Sequence, residues 1–211
     1  NIDTTVMPNG VVYVVAKIYD AVGNFTYSPK QRYMCDNQGP EQVKNVKCIA
    51  VDGTTATLSW SDVSDDDISY FVVECEQSDG AWKSVSRTST NLGVNLSGLT
   101  PEHDYVYRVI GYDKRSNRGT PSEEITVTTL KDTICPKVTK ITPDPGYFKS
   151  EINLRFTAED DYRVKSIEIQ TSTDKESWKT VSEIKATGES AKCTFDCKLD
   201  LKNYEEGSVF V

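Results

Sequence analysis

Acidic side chains gather twice in this chain, in Asp62-Val63-Ser64-Asp65-Asp66-Asp67 and in Glu159-Asp160-Asp161. Carboxylates bunched in a loop are what calcium binds, since it takes about six to eight oxygens in tolerant geometry. Calcium is therefore the one cofactor these residues suggest, through Asp62, Asp65, Asp66, Asp67, Glu159, Asp160 and Asp161. Neither run has the spacing of an EF-hand loop, and a solvated turn ahead of a strand is the simpler account of both. A cationic run, Asp113-Lys114-Arg115-Ser116-Asn117-Arg118-Gly119, places Lys114, Arg115 and Arg118 on one loop. Such a tip suits a carboxylate or sulfated partner, although a solvated hairpin end explains it as well. Nothing here prepares a catalyst. The single histidine, His103, has no serine or cysteine nucleophile motif around it, and catalysis of that kind needs the partners together. No glycine-rich phosphate loop and no recognisable glycosidase carboxylate pair is present. The chain is expected not to be an enzyme, and no catalytic residue is assigned.

Two triplets, Asn24-Phe25-Thr26 in a turn and Asn95-Leu96-Ser97 at a strand end, satisfy the acceptor pattern for N-linked glycans; in a bacterial protein the match would be accidental. Trp82 and Trp178 could stack on sugar rings, but they recur at matching strand positions, which favours packing across a neighbouring strand.

These groups must be positioned by strands. Short alternating apolar runs, separated by Gly, Asn, Asp and Pro, dominate the 211 residues, and no long segment has a helical period. The length suits one to two domains. A net charge of −8 argues against nucleic acid and anionic membranes, which attract basic surfaces. The longest apolar run, Val11 to Ala16, is strand-sized, so no membrane insertion is expected. The chain begins with Asn1 rather than an initiator methionine, as expected of a processed protein or a fragment. Its six cysteines permit disulfides without requiring them. Cys35 and Cys135 fall in linkers too far apart to meet, and Cys48 and Cys75 take inward strand positions as buried thiols. Cys193 and Cys197 share one strand face, with a bridge from Cys135 to one of them left open. One histidine and no Cys-x2-Cys pair exclude a tetrahedral zinc site.

Residues 39–130 lay out as seven strands: Val43–Val51, Thr54–Ser61, Ile68–Gln77, Ala81–Arg87, Asn91–Leu96, Asp104–Asp113 and Glu123–Thr129. Leu58 and Trp60 should face Phe71, Val73, Cys75, Tyr105, Tyr107 and Val109 across a two-sheet interior. Pro40, Leu58-Ser59-Trp60, Phe71 and Leu99-Thr100-Pro101 followed by Tyr105 make this segment resemble the fibronectin type III family. The resemblance implies that Tyr105 is the tyrosine corner, and that the loop from Asp113 to Gly119 joins strands F and G, where adhesive contacts sometimes sit.

Two internal repeats explain the flanks. Pro8 through Asp20-Ala-Val-Gly-Asn24 aligns without gaps on Pro101 through Asp113-Lys-Arg-Ser-Asn117, so residues 1–38 read as strands F and G of a preceding sandwich. Val12 stands at its tyrosine-corner position. Glu159-Asp-Asp161 through Ile167, Trp178 and Val181 aligns on Asp65-Asp-Asp67 through Phe71, Trp82 and Val85. Residues 131–211 thus open a third sandwich, and Gly207-Ser-Val-Phe210-Val211 parallels Gly10-Val-Val-Tyr13-Val14 as the start of its strand F. Both flanks resemble bacterial Ig-like repeats of surface proteins.

The fold expected is all-β, tandem Ig-like and fibronectin type III β-sandwiches. The function expected is a non-catalytic spacer or interaction segment of a secreted or cell-surface multi-module protein, its partners being neighbouring modules or copies of itself. Two other readings stand beside it. One is adhesion to a protein or glycan through the F–G loop, and the other is self-assembly in which residues 1–38 of one copy complete residues 132–211 of the next.

Overall fold

The computed structural model describes residues 3–61, 63, 65–89, 91–202, 204 and 207–211. Asp62 therefore lies outside the described residues. Regular structure among these residues is entirely β. The chain divides into two compact units: the described residues up to Val51 with those of Ala56–Leu96 and Asp104–Thr128, and Asp52–Thr55 with Ser97–His103 and those from Thr129 onward.

The first unit opens with β1 (Gly10–Val14) and β4 (Gln31–Cys35), which pair antiparallel from Gly10↔Cys35 to Val14↔Gln31. Between them β2 (Lys17–Tyr19) and β3 (Phe25–Tyr27) form a hairpin. Lys17 Nζ lies 3.8 Å from the centre of the Phe25 ring, and that ring touches both Tyr19 and Tyr27.

Two facing sheets follow. One holds β5 (Lys47–Val51), β6 (Thr55–Ser59) and β9 (Gly93–Ser97) in the order β5-β6-β9. The other holds β7 (Ile68–Glu76), β8 (Trp82–Thr88), β10 (Asp104–Asp113) and β11 (Ile125–Thr128) in the order β11-β10-β7-β8. The period-two alternation read from the sequence sends Leu58, Phe71, Val73, Cys75, Tyr107 and Val109 inside, all 5% exposed or less. Each large apolar side chain so buried contributes about 1.5–3 kcal/mol relative to leaving it in water. Trp60 meets Phe71 edge to face, with ring centres 5.6 Å apart.

Cys48 departs from expectation. A register shift between Cys48 and Ala50 bulges the edge strand β5, leaving Cys48 only partly buried and Ile49 exposed. The expected first strand is also shorter, because Val43 is buried but pairing begins at Lys47.

In the second unit β12 (Lys137–Thr142), β13 (Glu151–Glu159) and β16 (Lys192–Asp200) form one sheet in the order β12-β13-β16. β14 (Ser166–Thr171) and β15 (Lys179–Lys185) form a hairpin. Ile169 from the hairpin joins Leu154, Phe156, Ala158, Phe195 and Leu199 of the sheet in one apolar cluster, with Cys193 and Cys197 packed against it. Ser172 and Phe210 exchange both backbone hydrogen bonds, at 2.8 and 3.0 Å. Transferred through the repeats, that pair lies one step beyond Tyr107↔Cys75 in the β10–β7 ladder. All six cysteines are free thiols, and Cys135 is exposed.

Candidate functional site

The two Asp-x-x-x-Asn loops close by the same hydrogen bonds. Asp113 Oδ1 accepts from the backbone N–H of Arg115 and of Asn117, each at 2.8 Å. Its Oδ2 accepts from Asn117 Nδ2 at 2.7 Å. Asp20 does the same with Val22 N–H, Asn24 N–H and Asn24 Nδ2 at 3.0, 2.8 and 2.8 Å. In both loops the fourth residue, just before the asparagine, turns left-handed, Ser116 with φ 68° and Gly23 with φ 95°, a conformation the hydrogen bonds to the aspartate hold in place for the serine. The environments differ. Asp113 is 2% exposed, whereas the loop of Asp20 is solvated.

Burial pulls the Asp113 carboxyl up, yet the Asn117 amide, the two loop N–H groups and the Arg115 charge outweigh it and hold it below its ordinary value. For Asp20 the Asn24 amide leads in lowering the carboxyl, assisted by the loop N–H groups.

The Asp113 loop also grips the segment that enters the central sandwich. Asn117 Nδ2 donates to the Asp36 carbonyl at 3.1 Å, and Arg115 pairs with the Asp36 carboxylate at 3.4 Å. Gly39 and Gly119 cross closely beside this grip: a Cβ on Gly119 would lie 2.6 Å from the Pro40 carbonyl oxygen. Glycine is required here by proximity alone.

The three expected ligand-binding cations are thus all engaged within the unit. Lys114 Nζ donates to the Asp66 carbonyl at 3.1 Å. Arg118 pairs with Glu74 at 3.2 Å, and Glu74 also holds Arg108 at 2.7 Å. Arg108 in turn lies 3.8 Å over the Trp82 ring, so one face of that indole is covered by packing. Trp178 precedes β15 and is 46% exposed.

The acidic runs are only partly brought together. Carboxylate oxygens of Asp36, Asp67 and Asp113 lie within 4.8 Å of one another in the first unit, as do those of Asp132, Asp160 and Asp161 in the second. Asp65, Asp66 and Glu159 belong to neither group. Asp65 accepts from the Asp67 N–H, Asp66 offers its carbonyl to Lys114, and Glu159 pairs with Lys192. Asp67 shares a hydrogen bond with Asp65, which with slight burial and the charges of Asp65 and Asp113 pushes its carboxyl up against the pull of Lys114. Asp160 Oδ1 accepts the N–H groups of Tyr162 and Arg163, and Asp161 Oδ2 accepts from the Thr54 hydroxyl at 3.0 Å.

Sequence reasoning missed Asp36, Asp113 and Asp132. The available signal was the repeat of Asp-x-x-x-Asn and the aspartate standing in each linker. His103 sits where its backbone N–H donates to Thr129 Oγ1 at 3.0 Å. Tyr105 stacks on Tyr107 with ring centres 5.9 Å apart.

Residues 41–128 match the sequence model of the fibronectin type III domain. Solved structures similar to the chain include a fibronectin type-III domain of human fibronectin type III domain containing protein 3, at 25% identity and TM-score 0.42 over 53% of this chain and 97% of that one. The chicken CNTN1 FN1-FN3 domains follow at 19% identity and TM-score 0.44, covering 59% of this chain and 44% of that one. The FN5 domain of Drosophila Lar gives 21% identity and TM-score 0.37 over 44% of this chain and 99% of that one. No curated protein matches. The family match covers the central sandwich, less than half of the chain.

Proposed function

We propose that this chain is a non-catalytic spacer and interaction segment of a multi-module extracellular or cell-surface protein, its immediate partners being neighbouring modules. Fibronectin type III domains commonly serve in that way, and no helix among the described residues is long and apolar enough to cross a membrane. The flanking units are read as further sandwiches of the same string.

The observation that carries this reading is the grip on Asp36. A loop whose three cations face outward would be a ligand tip. Here Arg115 and Asn117 hold the linker, Arg118 joins the Glu74 network and Lys114 closes on Asp66. Arg115 and Asn117 fix how the chain enters the sandwich while Lys114 and Arg118 bond within it, which is what a spacer requires.

The test replaces Lys114, Arg115 and Arg118 together by serine. The expected result is a lower melting temperature and faster cleavage ahead of Asp36 by an aspartate-specific endoprotease. Loss of binding to a glycan or cell-surface panel at unchanged melting temperature and cleavage would establish adhesion through this loop instead.

A further inference from the structure

We infer that Asn95 is an acceptor for an N-linked glycan, and that Asn24, the other residue with the acceptor pattern, is reserved for a structural role. The inference rests on the proposed export of the protein and on a source that attaches N-linked glycans during export.

Strand β9 is an edge, with β6 as its sheet neighbour. Along it Leu96 is buried at 6% exposure while Asn95 and Ser97 are exposed, because successive strand residues face opposite sides. The Asn95 Oδ1 accepts from the Thr57 hydroxyl at 2.9 Å, which fixes the amide plane on the outer surface of the β5-β6-β9 sheet. The acceptor atom, Nδ2, is left without a hydrogen bond to the described residues. The same sheet exposes Ile49 to the extent of 59%, an apolar surface that a sugar can cover. A glycan here also blocks an edge strand from pairing with another chain, a hazard that edge strands carry.

Asn24 is placed differently. Its Nδ2 donates to Asp20 Oδ2 at 2.8 Å and its backbone N–H to Oδ1 of the same carboxylate, so the acceptor nitrogen is engaged by the bond that closes the loop and a sugar there would replace one of its two hydrogens.

The transfer forms a bond between Asn95 Nδ2 and the anomeric carbon of a sugar delivered as a polyprenyl-diphosphate oligosaccharide. The sugar–phosphate bond breaks, the lipid diphosphate departs with the bonding pair, and Nδ2 gives up one proton to solvent. Ser97 completes the acceptor pattern.

The experiment secretes the full chain from a eukaryotic host and treats it with an amidase that frees N-glycans and leaves aspartate behind. Peptide mapping then reads occupancy at both positions. The expected result is aspartate at 95, a single glycan lost in Asn95→Gln, and a melting temperature for that variant within a degree or two of its parent. Secreted, folded protein carrying asparagine at 95 overturns the inference, as does occupancy confined to Asn24. Mapping the protein from its native source separates the two premises. Unmodified Asn95 there, beside full occupancy in the secretory host, means that the native chain does not pass through an N-glycosylating compartment: the inference then falls for the native protein, while the geometry that makes Asn95 accessible stands.

Discussion

Replacing Asn117 by alanine removes the amide that binds the Asp113 carboxylate and the Asp36 carbonyl together. Asp113 keeps its two backbone donors but loses the third, at a position 2% exposed to water. A hydrogen bond to a charged group contributes about 1.5–3 kcal/mol, and a buried acceptor left short costs in the same range. With water able to reach Asp36, the sum expected for Asn117→Ala is about 2–3 kcal/mol, or a fall of about 10–20 °C in melting temperature for a domain of this size.

The pH dependence has a definite sign. A folded-state pKa below the unfolded one stabilises fully above the unfolded value and is lost as pH falls through the folded value. The Asn117 amide supplies part of the depression at Asp113, so the gap between parent and variant is widest at neutral pH and narrows in acid. Asn24→Ala is the control, since it deletes the same bond in a solvated loop and should shift melting by no more than a degree or two. Thermal unfolding followed by circular dichroism between neutral and acid pH reads all of this. Equal losses in the two variants, or a gap independent of pH, would refute the reasoning.

Glu74→Ala strands Arg108 and Arg118, of which Arg108 is largely buried at 18% side-chain exposure; denaturant unfolding should show a loss of about 2–4 kcal/mol. The hydrogen bond shared with Asp65, then burial, then the charges of Asp65 and Asp113 raise the Asp67 carboxyl; Asp67→Asn keeps a hydrogen-bonding group there and removes the charge, so without calcium its melting temperature should equal or exceed that of the parent. If calcium instead raises melting in the parent and not in Asp67→Asn, the carboxylates of Asp36, Asp67 and Asp113 are metal ligands. In native protein the exposed Cys135 should react at once with a thiol-exchange reagent. Cys75, whose thiol is pushed up by burial and by Glu76, should react only through the unfolding transition.

Alternation alone made the strands legible. Leu58, Phe71, Val73 and Tyr107 declared the interior because a pleated strand turns every second side chain the same way. The repeated Asp-x-x-x-Asn loops were legible for another reason: their hydrogen bonds are local, so the spacing itself encodes them. What the sequence concealed lies in pairings over long separations. Asp36 meets Asp113 only after the linker has folded onto β10, and Arg115 reads as a free cation until Asp36 arrives. The bulge that half exposes Cys48 was equally hidden, because one extra residue in an edge strand leaves the apolar pattern almost intact.

The grip on Asp36 also bears on where the central sandwich begins. Compositional boundaries would cut the chain at Gly39, ahead of the first buried residues of the sandwich. Yet Arg115 and Asn117 complete their bonding only with Asp36 present, and Gly39 threads against the backbone of Arg118. The central sandwich therefore takes in, by its hydrogen bonds, the segment on its N-terminal side. A recombination that joined this sandwich to a foreign linker would carry over the fold but forfeit the fixed entry. Exchange of modules should preserve stiffness only when its crossover lies before Cys35.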